Sequence, residues 1–239
     1  MLICITATGL TRMPSQTALI FILAVAFFAP AHAGELEGDQ LYRVTTVRAA
    51  AGSLPDLLDS IALRRPGERP PLVMRHSQGD HWDLMLISAI DSESAMDPAF
   101  LAPRSDLVAF EEDHFAYGPP WADVSSAYEE NSFYHIEMFE AVAGKAEQLL
   151  EQRRMENNYL GATGLKPNMI FRRAAGSDVD SFTIGFHEDM EAFAAPSDVS
   201  DEDKEAAAVD AGFKARSDIS FYLRTLISGH HDTLAVRVD

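Results

Sequence analysis

Cysteine is almost absent from this chain of 239 residues, whose only thiol is Cys4. A chain with one cysteine cannot form an internal disulfide, and any metal site would need histidine and carboxylate ligands. The sequence also contains no Gly-rich phosphate loop and no Gly-x-Ser-x-Gly nucleophile motif. These absences argue against a nucleotide cofactor and against covalent catalysis by a thiol or a serine.

Basic residues are scarce as well. The chain has 19 Lys and Arg against 37 Asp and Glu, which gives a formal net charge of −18 at pH 7. Such a surface repels phosphate backbones and anionic lipid headgroups, so we expect no nucleic-acid partner and no binding to a membrane surface. The simplest role of this charge is solubility, and the steering of a cationic ligand is the alternative.

Only one long hydrophobic run occurs, and it lies near the start of the chain at residues 17–29. Arg12 precedes the run, and Ala31-His32-Ala33 follows it with the small-x-small pattern of a cleavage site. Residues 1–33 are therefore predicted to be a signal peptide, and the protein to be periplasmic or secreted. An uncleaved anchor is the less favoured alternative, because spanning a bilayer takes about 20 apolar residues. We expect no stable membrane insertion after cleavage.

The rest of the sequence contains an internal repeat. Three pairs of segments match in the same order: Tyr42–Leu58 with Tyr134–Leu150, Pro71–Ile87 with Pro167–Ile184, and Arg104–Leu107 with Arg216–Ile219. The first pair aligns without a gap. Matching blocks in a fixed order predict a duplication. We assign residues 34–120 to a first unit, 121–132 to a linker and 133–239 to a second unit.

Each unit has the same predicted order of elements. Each unit begins with a strand in which residue character alternates, and this strand ends at a glycine, Gly52 or Gly144. A helix with an apolar stripe, a hairpin, a further helical segment and a last strand follow. The hairpins are predicted to turn at Gly79-Asp80 and Gly176-Ser177. The order β-α-β-β-α-β is the ferredoxin-like unit, an α+β arrangement whose sheet leaves one face uncovered. We predict two tandem ferredoxin-like units packed sheet to sheet as a single-chain α+β barrel.

This order and the duplication resemble the dimeric α+β barrel superfamily in its tandem form. The closing segment FYLRTLISGHHDTLAVRV and the strand-Gly-helix opening are most similar to NIPSNAP proteins. The resemblance implies a small-molecule pocket inside the barrel. In such families the pocket serves cofactor-independent oxygenation, isomerisation or decarboxylation of aromatic or polyketide-like compounds, or no known chemistry. It implies a monomer or a homodimer, and we expect neither a cofactor, haem included, nor a bound metal.

Candidate site residues follow from the strand order 4-1-3-2 of this fold, which places the last strand beside the first. Because strands alternate faces, we expect Tyr134, Ile136 and Met138 to meet the helices, with His135, Glu137 and Phe139 facing the barrel interior. The predicted catalytic residues are His135, Glu137 and His231. The predicted ligand-binding residues are Arg43, Phe139, His187, His230 and Asp232.

Three interpretations of this histidine cluster remain open. It could be an acid–base pocket, because a carboxylate such as Glu137 can orient an imidazole and raise its pKa. It could bind zinc or non-haem iron. It could also consist of histidines that satisfy backbone groups at strand ends. Arg43 is expected to pair with Glu137 across the barrel, or else to neutralise an anionic ligand.

The sequence thus predicts an exported small-molecule-binding protein, with cofactor-independent oxygenase or isomerase activity as a possibility. The alternative is a non-catalytic structural or interaction protein of the periplasm with a packed barrel interior.

Overall fold

The computed structural model describes residues 35–62, 70–90 and 106–238. The predicted signal peptide lies outside these residues, as does half of the repeat segment Arg104–Leu107. None of the described helices is long and apolar enough to cross a membrane.

The first part of the chain supplies four strands and a helix: β1 (Gln40–Ala49), α1 (Leu54–Ala62), β2 (Leu72–Gln78), β3 (Leu84–Ala89) and β4 (Val108–Gly118). A helix, α2 (Trp121–Glu130), connects it to the second part. That part contains β5 (Phe133–Ala141), α3 (Ala146–Ala162), β6 (Met169–Ala175), β7 (Ser181–His187), α4 (Met190–Ala194), α5 (Asp201–Asp210), α6 (Asp218–Arg224) and β8 (Ile227–Arg237). The predicted strands and hairpins are all present, with glycines at positive φ at both hairpin turns.

The eight strands form one closed antiparallel barrel in the order β1-β3-β2-β8-β5-β7-β6-β4. Within it, β4-β1-β3-β2 and β8-β5-β7-β6 have the same order, which is the predicted 4-1-3-2. The two groups join edge to edge, through β2 with β8 and through β4 with β6. This closure pairs every strand on both sides and confirms the predicted α+β barrel, in which the two groups of strands are also hydrogen-bonded at their edges.

The barrel interior is an apolar core shared by both groups of strands. It contains, among others, Tyr42, Val44, Tyr134, Ile136 and Phe182, all of which are buried. The predicted assignment of faces on β5 is therefore wrong. The apolar face points inward, because the interior of a closed barrel receives side chains from all eight strands and admits little water. His135, Glu137 and Phe139 lie on the outer face, under the helices.

Helix α2 closes one end of this core, although its sequence was predicted only as a linker. Val124 is fully buried in the core. The hydroxyls of two interior tyrosines bind the ends of the connection: Tyr42 donates to the Pro119 carbonyl at 2.5 Å and Tyr134 to the Asn131 carbonyl at 3.0 Å. These two tyrosines are the ones that the repeat aligns, so equivalent positions hold opposite ends of α2.

The last strand is longer than the sequence indicates. His230, His231 and Asp232 all lie within β8, which begins at Ile227. These polar residues do not show a strand pattern in the sequence. The strand forms because β5 supplies hydrogen-bonding partners along it from Ile227 to Val236. Alternation in β8 then sends His230 and Asp232 to the outer face and His231 to the inner one.

Candidate active site in a cleft outside the barrel

A cleft of about 540 Å³ lies on the outer face of β5 and β7. Helix α3, the α3–β6 loop and α4 with the segment after it form its other walls. Its polar lining includes His135, Glu137, Glu156, Lys166, Asn168 and His187, and its apolar lining includes Leu160, Leu165, Phe193 and Val199. We call it the β5–β7 cleft. Among the described residues, the space between the two sheets, where the sequence had placed the pocket, is filled by a buried apolar core.

Strand alternation and one glycine create the floor of the cleft. His135 on β5 lies opposite Gly185 on β7. A Cβ atom at Gly185 would lie 2.7 Å from Asn168 Oδ1 and 2.9 Å from His187 Nε2. Both polar side chains therefore occupy space that any other residue at this position would fill.

His135 forms a histidine–carboxylate pair with the neighbouring strand. Its Nε2 lies 2.8 Å from Asp232 Oδ1. A neutral imidazole that donates from Nε2 keeps Nδ1 as an acceptor, and the carboxylate stabilises the charge if Nδ1 takes a proton. The pair gives the cleft an imidazole whose orientation is fixed by a carboxylate.

A buried arginine lies beneath the cleft between two carboxylates. Arg153, on α3, is 2% exposed. Its Nη1 lies 3.4 Å from Glu137 Oε2, and its Nη2 donates to Glu156 Oε2. The guanidinium carbon is 4.7 Å from the centre of the Phe139 ring. One cation is therefore shared by two acids in a site with little access to water.

The two carboxyl groups respond to this environment in opposite directions. Burial alone would raise the pKa of Glu137, but the hydrogen bond with His230 and the charge of Arg153 outweigh burial and lower that pKa. Burial raises the pKa of Glu156, and the negative charge of Glu137 adds to the rise while Arg153 opposes it. Glu137 is thus the ionised partner and Glu156 the one that retains a proton more readily.

A third titratable group, His187, is held neutral. Burial lowers its pKa to about 4, and the positive charges of Lys166 and His135 act in the same direction. The cleft therefore presents an imidazole that is neutral at pH 7, a His–Asp pair and a carboxyl with a raised pKa. Separate acid and base groups of this kind are what proton transfer requires.

The structure brings most of the predicted site residues together. His135, Glu137 and His187 line the β5–β7 cleft. His230 binds Glu137 at 3.3 Å and stacks on Phe139, and Asp232 binds His135. These residues form a row along the outer face of β5, with His187 opposite Phe133 at one end and His230 opposite Phe139 at the other, so the expectation that they gather at one sheet end is wrong.

Two predicted residues lie elsewhere. His231 faces a smaller pocket at one end of the barrel. Arg43 forms an ion pair with Asp113, so its expected pairing with Glu137 is wrong. Arg43 lies on the outer face of β1, and β4 supplies a carboxylate directly beside it.

Sequence reasoning missed Arg153 and Glu156, although the chain carries a signal for them. Residues Leu149, Arg153, Glu156, Leu160 and Thr163 follow a spacing of four and three, which places them on one face of α3. Apolar residues are expected at every position of a face that packs on a sheet. Two charged residues within such a stripe indicate a buried polar site.

No protein-family model matches the sequence, and no curated protein matches it at a significant level. Solved structures do match the fold. An anthrone oxidase-like protein superposes with a TM-score of 0.60 at 10% identity, covering 85% of this chain and 93% of its own. A monooxygenase-like protein from Lactobacillus acidophilus gives a TM-score of 0.48 at 9% identity, with 83% and 94% covered. A variant of the chlorite dismutase from Candidatus Nitrospira defluvii gives 0.49 at 12%, with 84% and 92% covered. The chain has the fold of the dimeric α+β barrel proteins.

Proposed function

We propose that the protein binds a small, partly apolar molecule in the β5–β7 cleft and moves a proton on it. One observation carries this proposal: the cleft brings the His135–Asp232 pair and the raised-pKa carboxyl of Glu156 around one space of about 540 Å³. That volume suits a ligand of drug size, and a mostly apolar lining with a few polar groups is typical of such sites.

Each residue of the cleft has its own role in the proton transfer. His135 accepts the proton at Nδ1, and Asp232 stabilises the resulting imidazolium. Glu156 donates a hydrogen bond from Oε1 to an oxygen on which negative charge develops, because Arg153 holds Oε2. Glu137 and Arg153 act as positioning residues beneath them. The substrate class that fits is an aromatic ketone or a phenol, which has an acidic proton and an oxygen that takes up charge.

Cofactor-independent oxygenation is the specific reaction that we favour. Removal of a proton from such a compound gives an electron-rich anion, and dioxygen can oxidise that anion directly. The similarity in fold to an anthrone oxidase-like protein supports this choice. Isomerisation through the same anion is the second possibility, because it needs the same base and the same hydrogen-bond donor.

A non-catalytic role is the rival function, and the packed barrel interior favours it. Titration of the purified protein with a panel of aromatic ketones and phenols, followed by intrinsic fluorescence, separates the two. We expect saturable binding that Leu160→Trp abolishes by filling the cleft. Binding of no compound, or equal binding by Leu160→Trp, would overturn the proposal.

Proton transfer is tested separately from binding. Exchange of the acidic proton of a bound ketone for deuterium, followed by NMR, should fall at least about 100-fold in His135→Asn, the scale of general-base contributions. Glu156→Gln should also be slower, whereas Glu147→Gln, an exposed position at the start of the same helix, should exchange at the wild-type rate. Exchange unaffected by His135→Asn would contradict the assigned base.

We also propose that the protein is exported, that it arose by duplication and is related to NIPSNAP proteins, and that it acts as a monomer. The apolar run before Ala31-His32-Ala33 supports export. The equal strand order of the two halves supports duplication, and closure of the barrel within one chain supports the monomer. N-terminal sequencing of the protein from a periplasmic extract should begin at Gly34, and light scattering should give the monomer mass.

A further inference from the structure

A second pocket, of about 140 Å³, lies at the end of the barrel where the β2–β3 and β6–β7 hairpins turn. We call it the barrel-end pocket. Residues of both halves line it, and the ones that matter here are Asp80, His81, His114 and His231. It lies apart from the β5–β7 cleft, with which it shares no lining residue.

Three ligand-type side chains converge at this pocket. Asp80 Oδ1 lies 2.6 Å from His81 Nδ1 and 3.4 Å from His231 Nδ1. One ligand atom from each residue lies within 4.8 Å of the other two. The carboxylate side chain of Asp80 is 1% exposed, whereas the imidazoles of His81 and His231 are 60% and 41% exposed. A buried carboxylate therefore faces outward to two accessible imidazoles.

The chain builds this arrangement from distant segments. Gly79 has a φ of +112°, and a Cβ there would lie 2.1 Å from the Asp232 carbonyl oxygen. The missing side chain lets the β2–β3 turn press against β8, which brings Asp80 beside His231. Thr233 Oγ1 donates to Asp80 Oδ2 at 3.1 Å, and the Asp80 amide donates to His76 Nε2 at 3.0 Å. Oδ2 is held in place, so Oδ1 is presented to the imidazoles.

The spacing suits a tetrahedral metal ion. Zinc binds imidazole nitrogen and carboxylate oxygen at about 2.0–2.2 Å, which places ligand atoms of a tetrahedral site about 3.3 Å apart. The separation of 3.4 Å between His231 and Asp80 agrees with this value. His81 Nδ1 is closer to Asp80 Oδ1 than this value. A movement of less than about 1 Å by the exposed His81 side chain is enough to reach the tetrahedral spacing. Two imidazoles and one carboxylate without a thiol suit zinc in a site that keeps one open position.

An independent feature also indicates that the pocket holds a polar species. His114 lines the pocket and is 3% exposed, yet its Nε2 has no hydrogen-bonding partner. An unsatisfied buried polar atom costs about 1–3 kcal/mol, so native proteins normally supply a partner. A water molecule or an anion on the open position of a metal ion would be one.

We propose that Asp80, His81 and His231 form a zinc site at the barrel-end pocket, with its open coordination position directed toward the pocket that His114 lines. The site is distinct from the cluster in the β5–β7 cleft, for which the sequence raised and disfavoured a metal. Because β2 and β8 pair at this point, the ion links the two halves of the chain where the barrel closes.

The test is calorimetric titration with Zn²⁺ of protein purified without a histidine tag and stripped with EDTA. The proposal predicts one ion per chain. His231→Asn and His81→Asn should each weaken binding at least about 10-fold, since even the partners behind metal ligands contribute that much. His135→Asn is the matched control, because it removes a histidine from the other cluster of possible ligands and should leave Zn²⁺ binding unchanged.

Three results would overturn the proposal: no stoichiometric Zn²⁺ binding, equal binding by wild type and both site variants, or loss of binding in His135→Asn with retention in His231→Asn. Thermal unfolding without metal checks the fold, and His81→Asn should melt as the wild type does because its imidazole is mostly exposed. Zn²⁺ should raise the wild-type melting temperature and leave that of His81→Asn unchanged. A wild-type melting temperature that does not respond to Zn²⁺ would also count against the site.

Discussion

At the scale of single residues, Arg153 is the group on which the candidate active site depends most. It compensates Glu137 and Glu156 together, and its guanidinium lies over the Phe139 ring. Two acids and one base leave an excess of one negative charge when both carboxylates are ionised. The raised pKa of Glu156 relieves that excess by favouring its neutral form. Burial is the main cause of the raised pKa of Glu156, Arg153 opposes the rise, and the negative charge of Glu137 adds to it.

Arg153→Met should destabilise the protein by about 3–5 kcal/mol at pH 7, because it leaves buried carboxylates without their counter-ion. Urea unfolding followed by circular dichroism measures this loss. Arg154→Met is the control on the same helix, where the ion pairs with Glu37 and Glu151 are partly exposed and the expected cost is below about 1 kcal/mol. Equal costs for the two variants would contradict the buried network.

His114 should make stability depend on pH. Burial lowers its pKa to about 4 from an ordinary value of 6.5, so the unfolded chain binds a proton between these values that the folded chain does not. The part of the free energy of unfolding that depends on neutral His114 is fully present above pH 6.5. It falls by up to about 3 kcal/mol as the pH drops to about 4. His114→Gln should lose less stability than the wild type between pH 7 and pH 4.5 in EDTA. An identical pH dependence would contradict the neutral state.

At the scale of elements, alternation predicted where the strands lie but not which face points inward. On β5 it separated Tyr134 and Ile136 from His135 and Glu137 correctly. The choice of face depends on the partner, and polar residues on α3 were the missing information. Arg153 and Glu156 make a polar outer face acceptable, so the apolar face fills the barrel. A pattern within one strand does not contain that fact.

Other misses have the same origin. The helical linker α2 is stabilised by packing, with Val124 buried in the shared core. The segment His230–Asp232 is a strand because β5 pairs with it, not because its residues favour strands. The hairpin turns, in contrast, were predictable, since Gly79 and Gly176 sit where only a positive φ fits.

Gly79→Ala should destabilise the protein more than Gly52→Ala. Both glycines have positive φ, so both variants carry a backbone penalty of about 1–2 kcal/mol. Only at Gly79 does the new Cβ collide with backbone, that of Asp232, whereas the space around Gly52 is open. Thermal unfolding in EDTA compares the two variants. A Gly79→Ala protein as stable as Gly52→Ala would show that the turn does not press on β8.

At the scale of the whole molecule, the closed barrel makes the two halves one folding unit. They share an apolar core, and β2–β8 and β4–β6 join them at two seams. Calorimetry should show a single transition whose measured enthalpy equals the van't Hoff enthalpy, which is the sign of cooperative unfolding. Two resolved transitions would mean that the halves unfold independently and that the seams contribute little.

The order of the strands could be predicted from the sequence because it depends on local patterns and on one topological rule. The location of the binding space could not, since it depends on how helices cover the outside of the barrel. The central claim is that this outer cleft, rather than the barrel interior, binds the small molecule.

A crystal structure of the protein with the tightest-binding aromatic ketone of the titration panel tests this claim most directly. We predict that the ligand lies between β5, β7 and α3, with its carbonyl oxygen within hydrogen-bonding distance of Glu156 Oε1 and its acidic carbon facing His135 Nδ1. A ligand bound inside the barrel, or at a surface away from these residues, would contradict it.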